Sequence, residues 1–96
     1  MYPDSTVLLV TYNLKGPSVR YGELYDYLKN QGSWWHYMPS TWLIDTNKTP
    51  NELFEGIRPL IQEDDHLIVV RITRDRAGRL PQRAWAWVKK HMGPRN

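Results

Sequence analysis

Two short stretches of this chain are apolar at every position, Val7-Leu8-Leu9-Val10 and Leu67-Ile68-Val69-Val70. Successive side chains of a β-strand point to opposite faces of the sheet. A strand without polar positions must therefore be covered on both sides. In a chain of 96 residues, that requirement points to one domain whose sheet carries helices on one face. Either a C-terminal helix or a second copy of the chain then covers the other.

The intervening patterns supply the helices. Residues 5–12 form the first β-rich run, broken by Asn13 to Ser18 with Gly16-Pro17. Tyr21, Leu24, Tyr25 and Leu28 recur at the spacing of one helical face. Gly32 stands where that helix needs a residue tolerant of positive φ. Ser33–Met38 and Thr41–Thr46 read as strands separated by Pro39-Ser40, with Trp42 and Ile44 on one face. Thr49, Pro50 and Glu52 are the signature of a capped helix start, and Leu53, Phe54, Ile57 and Ile61 form its apolar stripe. Pro59 predicts a kink or an early end. His66–Thr73 reads as the fourth strand, Arg74–Leu80 as a basic connector, and Pro81 to about His91 as a last helix.

Strand, helix, strand, strand, helix, strand is the split-βαβ order of an α+β, ferredoxin-like βαββαβ sandwich. Residues 1–80 make the ferredoxin-like domain, and residues 81–96 add a helix and basic tail to the same domain. The expected sheet order is 4-1-3-2. With strands one and three taken as parallel, one sheet edge gathers Asn13, Trp34, Asp45, Asn47, Asp64, Asp65 and His66. The opposite edge gathers Tyr37, Ser40 and the exit from Arg71 to Arg74.

Charge is segregated along the chain. Residues 1–70 hold five basic and nine acidic side chains, whereas residues 71–96 hold eight basic side chains against Asp75 alone. A basic end on an acidic body suits an anionic partner, of which nucleic acid is the commonest, or serves as a solvated end. Arg71, Arg74, Arg76, Arg79 and Arg83 are the candidates for contacts to a nucleic-acid backbone, DNA or RNA. Alternation puts Trp34 and His36 on one face of strand two, and Trp35 and Tyr37 on the other. Aromatic rings there either pack or, where exposed beside basic groups, stack bases.

Several chemistries lack their residues. No cysteine is present, so thiolate metal sites and disulfides are excluded. Neither a nucleophile elbow nor a phosphate-binding glycine loop occurs. Asp64 and Asp65, with Asp45 near, could hold Mg²⁺, or serve as solvated turn formers. His66 is a candidate base beside them, or a surface group. No cofactor is otherwise expected. No apolar run is long enough for a membrane span, and Met1-Tyr2-Pro3-Asp4 lacks the basic start of a secretory signal. A cytoplasmic location without membrane association is expected.

Longer strings carry a resemblance. Val10-Thr11-Tyr12-Asn13-Leu14, Tyr21-x-x-Leu24-Tyr25-x-x-Leu28-Lys29 and Gly32-Ser33-Trp34-Trp35-His36-Tyr37 are followed by Ser40 to Thr46 and Asp64 to Val70. Together they resemble the SinR-like branch of the CRISPR-associated endonuclease-two superfamily over roughly residues 6–73. The segment Leu80-Pro81-x-x-Ala84-Trp85-x-Trp87 looks similar as well. The resemblance implies a ferredoxin-like homodimer with its two sheets facing each other. Members of that superfamily cleave nucleic acid with a divalent metal or bridge integrase subunits and DNA, and a toxin-like ribonuclease branch shares the fold.

The family's metal-binding acid is an Asp at the end of strand one, where this chain has Asn13. A neutral amide beside a carboxylate site is a poor Mg²⁺ ligand, and a symmetric dimer would lose both copies. The resemblance, with this departure, implies a nucleic-acid-binding dimer that does not cleave. The alternatives are a metal-dependent endonuclease whose acids are Asp45, Asp64 and Asp65, and a protein-interaction or toxin-like module docking through the C-terminal tail with Trp85 and Trp87.

Overall fold

The structure, a computed structural model, describes residues 6–92. Its elements are β1 (Val7–Asn13), α1 (Gly22–Lys29), β2 (Ser33–Met38), β3 (Thr41–Asp45), α2 (Pro50–Ile57), β4 (His66–Arg71) and α3 (Gln82–Met92). They form an α+β arrangement of one four-stranded antiparallel sheet and three helices, compatible with the ferredoxin-like plan. The sheet order is β2-β3-β1-β4, the expected 4-1-3-2. The expected start of strand one at Ser5 lies outside the described residues. Strands three and four end at Asp45 and Arg71, short of the expected Thr46 and Thr73.

Strand direction differs from the expectation. β3 runs antiparallel to β1, with Val7 opposite Asp45, whereas β4 is antiparallel to β1 as expected, with Asn13 opposite His66. The connections explain why. A helical crossover returns the chain to start a strand parallel to the one it left. The tight turn at Pro39-Ser40 then reverses β3 between them. Asn13, the Pro39-Ser40 turn and His66 therefore share one edge. Trp34, Asp45 and the Arg71 exit share the other.

Local rules account for the element ends. Thr49 accepts a hydrogen bond from the Glu52 N–H at 3.1 Å, and Glu52 accepts one from the Thr49 N–H at 2.9 Å, closing the capping box of α2. Pro59 ends that helix in a 3₁₀ turn over Arg58–Leu60. Another 3₁₀ turn, Ser18–Tyr21, leads into α1. Gly32 has φ +152° and abuts the backbone of Asp45, where any Cβ would collide with the carbonyl oxygen. It opens β2, while Asn30 caps α1.

Both faces of the sheet are covered by this chain's own helices. On the first face Leu8, Val10, Trp42 and Ile44 pack under α1 and α2 against Leu24, Leu28, Leu53 and Ile57. On the second, Val7, Trp35 and Leu43 pack under α3 against Ala84 and Val88. Each aliphatic side chain fully buried this way contributes about 1.5–3 kcal/mol. The cover stops short of β4, where Ile68 and Val70 remain 56% and 40% exposed. No helix among the described residues is long and apolar enough to cross a membrane.

Candidate nucleic-acid interface

The acidic residues do not form one cluster. Asp65 sits in the turn before β4 and is buried, its Oδ1 accepting from the Lys15 N–H at 2.8 Å and the Tyr21 hydroxyl at 2.9 Å. Its Oδ2 accepts from the Gln62 N–H at 2.7 Å. Burial works against its ionisation, but the Lys15 and Gln62 amides, the Tyr21 hydroxyl and the nearby Arg20 charge outweigh it. They hold the Asp65 carboxyl below its ordinary value. Its job is to clamp the β1–α1 loop to the α2–β4 turn.

Asp45 lies at the far edge of the sheet, a correction that follows from the direction of β3. It accepts from the Thr6 hydroxyl at 2.6 Å and meets His91 Nδ1 on α3 at 2.7 Å. Asp64 and His66 are exposed, and Asn13 is exposed opposite His66. Among the described residues no three His, Asp or Glu side chains converge. With an amide at Asn13, a carboxylate engaged by three donors at Asp65 and Asp45 across the sheet, these side chains do not converge on one octahedral Mg²⁺ position.

The arginines are distributed along a path. Arg71 ends β4 on the face of Leu67 and Val69, half-buried. Arg74 and Arg79 are exposed in the connector, and Arg76 donates from a guanidinium nitrogen to the Thr73 carbonyl at 3.0 Å. Arg76 and Arg79 border an apolar groove of about 470 Å³ between the connector, α3 and the second sheet face, floored by Leu9, Trp35 and Leu43. Arg83, in the first turn of α3, lies over the ring of Tyr37 at 4.3 Å.

Arg83 and Tyr37 also line a second cleft, of about 460 Å³, together with Trp34, Trp35, His36 and Trp87. Strand alternation divides the rings as expected. Trp34 and His36 pack on Trp42 with centroids 5.3 and 4.0 Å away, whereas Trp35 is buried on the α3 side. Tyr37 meets Trp35 edge-on at 5.3 Å and stays 51% exposed. Lys29 at the end of α1 lies 5.6 Å from the Trp34 ring, which is 40% exposed. The pairings of Lys29 with Trp34 and of Arg83 with Tyr37 join residues far apart in sequence, and no local pattern signals them. Arg95 and the rest of the basic tail after Met92 lie outside the described residues.

The chain matches no family model, no curated protein and no solved structure.

Proposed function

We propose that this chain is a ferredoxin-like, non-catalytic nucleic-acid-binding homodimer, of the kind its resemblance to the SinR-like branch implies. The observation that carries the reading is the segregated charge. Eight of the thirteen Lys and Arg residues fall in the last 26 positions, and Arg74 and Arg79 stand exposed there beside Arg76. Cations held on a connector between two packed elements neutralise phosphates with little ordering cost, and counterion release then drives binding. The absence of an acid at Asn13 and the engagement of Asp65 favour binding over cleavage. Ile68 and Val70, bare beyond the margin of α3, favour a second copy over that part of the sheet.

The test is a fluorescence-anisotropy titration at several salt concentrations, with the labelled strand run on a denaturing gel afterwards. Wild-type protein is expected to bind in a salt-dependent way and leave the label intact. Replacing Arg74, Arg76 and Arg79 by Ala should reduce the slope of log affinity against log salt by about 0.9 for each duplex-DNA phosphate that is no longer neutralised. Undiminished binding by that triple variant would remove the proposed site. Mg²⁺-dependent fragments abolished by an Asp64→Ala/Asp65→Ala variant would replace this reading with an endonuclease.

A further inference from the structure

We infer that the cleft between β2 and α3 stacks the unpaired bases of a single-stranded nucleic acid, with Tyr37 and Arg83 as its central pair. This deepens the nucleic-acid reading and rests on it. Three observations converge on the cleft. Its six lining residues are three tryptophans, Tyr37, His36 and one arginine, with no carboxylate among them. Tyr37, the most exposed of those aromatic side chains, carries a cation on its ring, Arg83 at 4.3 Å, while Lys29 pairs with Trp34 at 5.6 Å on the other face of the strand. The cleft also continues from the arginine connector, because Arg83 follows Arg79 by four residues and Trp35 lines both this cleft and the neighbouring groove.

Unpaired bases offer flat π faces, and rings beside cations bind them while the cation holds the adjoining phosphate. A planar guanidinium supported by a tyrosine ring is itself a stacking surface. Duplex bases are already stacked on each other and present only edges and phosphates. The cleft therefore favours single strands, whereas the connector arginines bind either form through phosphate. Base faces and phosphates are common to RNA and DNA, so the two single strands of the test distinguish which of them the site serves.

The experiment compares oligo(U), oligo(dT) and a mixed-sequence duplex, each of about 12 nucleotides or base pairs, by anisotropy at constant salt. Wild type, Tyr37→Ala, Tyr37→Phe and Arg83→Ala are titrated after far-UV circular dichroism has checked their folding. Tyr37→Ala is expected to weaken single-strand binding about tenfold, equivalent to about 1.4 kcal/mol, and to change duplex binding less than twofold. Tyr37→Phe keeps the ring and should stay within about twofold of wild type on all three. A loss confined to one of the two single strands supports the site and names the strand it serves.

Unchanged single-strand affinity in Tyr37→Ala overturns the inference, as does an equal loss on the duplex. A change in sedimentation mass without a change in affinity overturns it too, because Tyr37 would then belong to a protein interface. Wild type that binds duplex in a salt-dependent way but not single strands leaves the nucleic-acid reading standing and removes this site. Binding to neither form removes both.

Discussion

Trp42 and Trp35 are both buried, 1% and 3% exposed, yet replacing each by Phe should have different consequences. The Trp42 Nε1–H donates to the Tyr12 hydroxyl at 3.0 Å, and its ring lies nearly parallel to His36 at a 4.0 Å centroid distance. The Trp35 Nε1–H is buried with no acceptor among the described residues. Trp42→Phe removes a hydrogen bond worth about 1 kcal/mol net, part of a ring stack worth about 0.5–1.5 kcal/mol, and the burial of the pyrrole carbons. The expected cost is about 3 kcal/mol. For a domain of this size that corresponds to a Tm lower by about 12–24 °C. Trp35→Phe loses the same carbons but also removes an unsatisfied donor that itself costs about 1–3 kcal/mol, so its net cost should be about 1 kcal/mol. Urea denaturation followed by circular dichroism gives both values. A Tyr12→Phe/Trp42→Phe double-mutant cycle then isolates the hydrogen bond, with an expected coupling of about 1 kcal/mol. Two tryptophan variants within about 0.5 kcal/mol of each other, or additive behaviour in the cycle, would refute the reasoning.

Other perturbations test separate interactions. Gly32→Ala puts a side chain at positive φ against the Asp45 carbonyl and should cost about 3 kcal/mol or more, measured by urea midpoint. Asp65 has a carboxyl held below its ordinary value, so its contribution is complete above the unfolded value of about 3.9 and is lost as pH falls through the lower folded value. Asp65→Asn should therefore destabilise the protein at pH 7, and the gap to wild type should close on acidification; a gap that widens in acid refutes the assignment. His91→Ala breaks the pairing with Asp45 that ties α3 to the end of β3. Amide exchange in residues 82–92 should speed up by about fivefold, equivalent to about 1 kcal/mol of local stability, while α1 and α2 stay unchanged.

Much of the architecture is legible in the sequence because it rests on local rules. The two-faced apolar runs announce β1 and β4, and Thr49 with Glu52 announces the start of α2 through a bond each makes within three residues. The alternation of Trp34, Trp35, His36 and Tyr37 separates their faces correctly. Strand direction departs from the expectation although its signal is present: a helix between β1 and β2 makes them parallel, and a two-residue turn makes β3 oppose both. That one difference moves Asp45 to the other edge of the sheet. The role of Asp65 is not legible, since its partners Tyr21 and Lys15 lie 44 and 50 residues away. An acidic pair in a turn looks the same in sequence whether its oxygens meet water or three donors from the protein itself. The pairing of Arg83 with Tyr37 is hidden for the same reason, being set by how α3 crosses the sheet.

The position of β4 at the border of the sheet also bears on how this chain survives at high concentration. An outermost strand presents a free row of amides and carbonyls to any other chain, and Leu67 to Val70 are the composition that most readily propagates such pairing. Charge stands at both ends of that row, Asp64 before it and Arg71 and Arg74 after it. These residues are placed as gatekeepers, because a parallel, in-register stack of identical strands would bring like charges together at every step. The acidic turn and the arginine exit thus bear on solubility independently of any ligand, and any change that removes those charges also removes a guard against self-assembly.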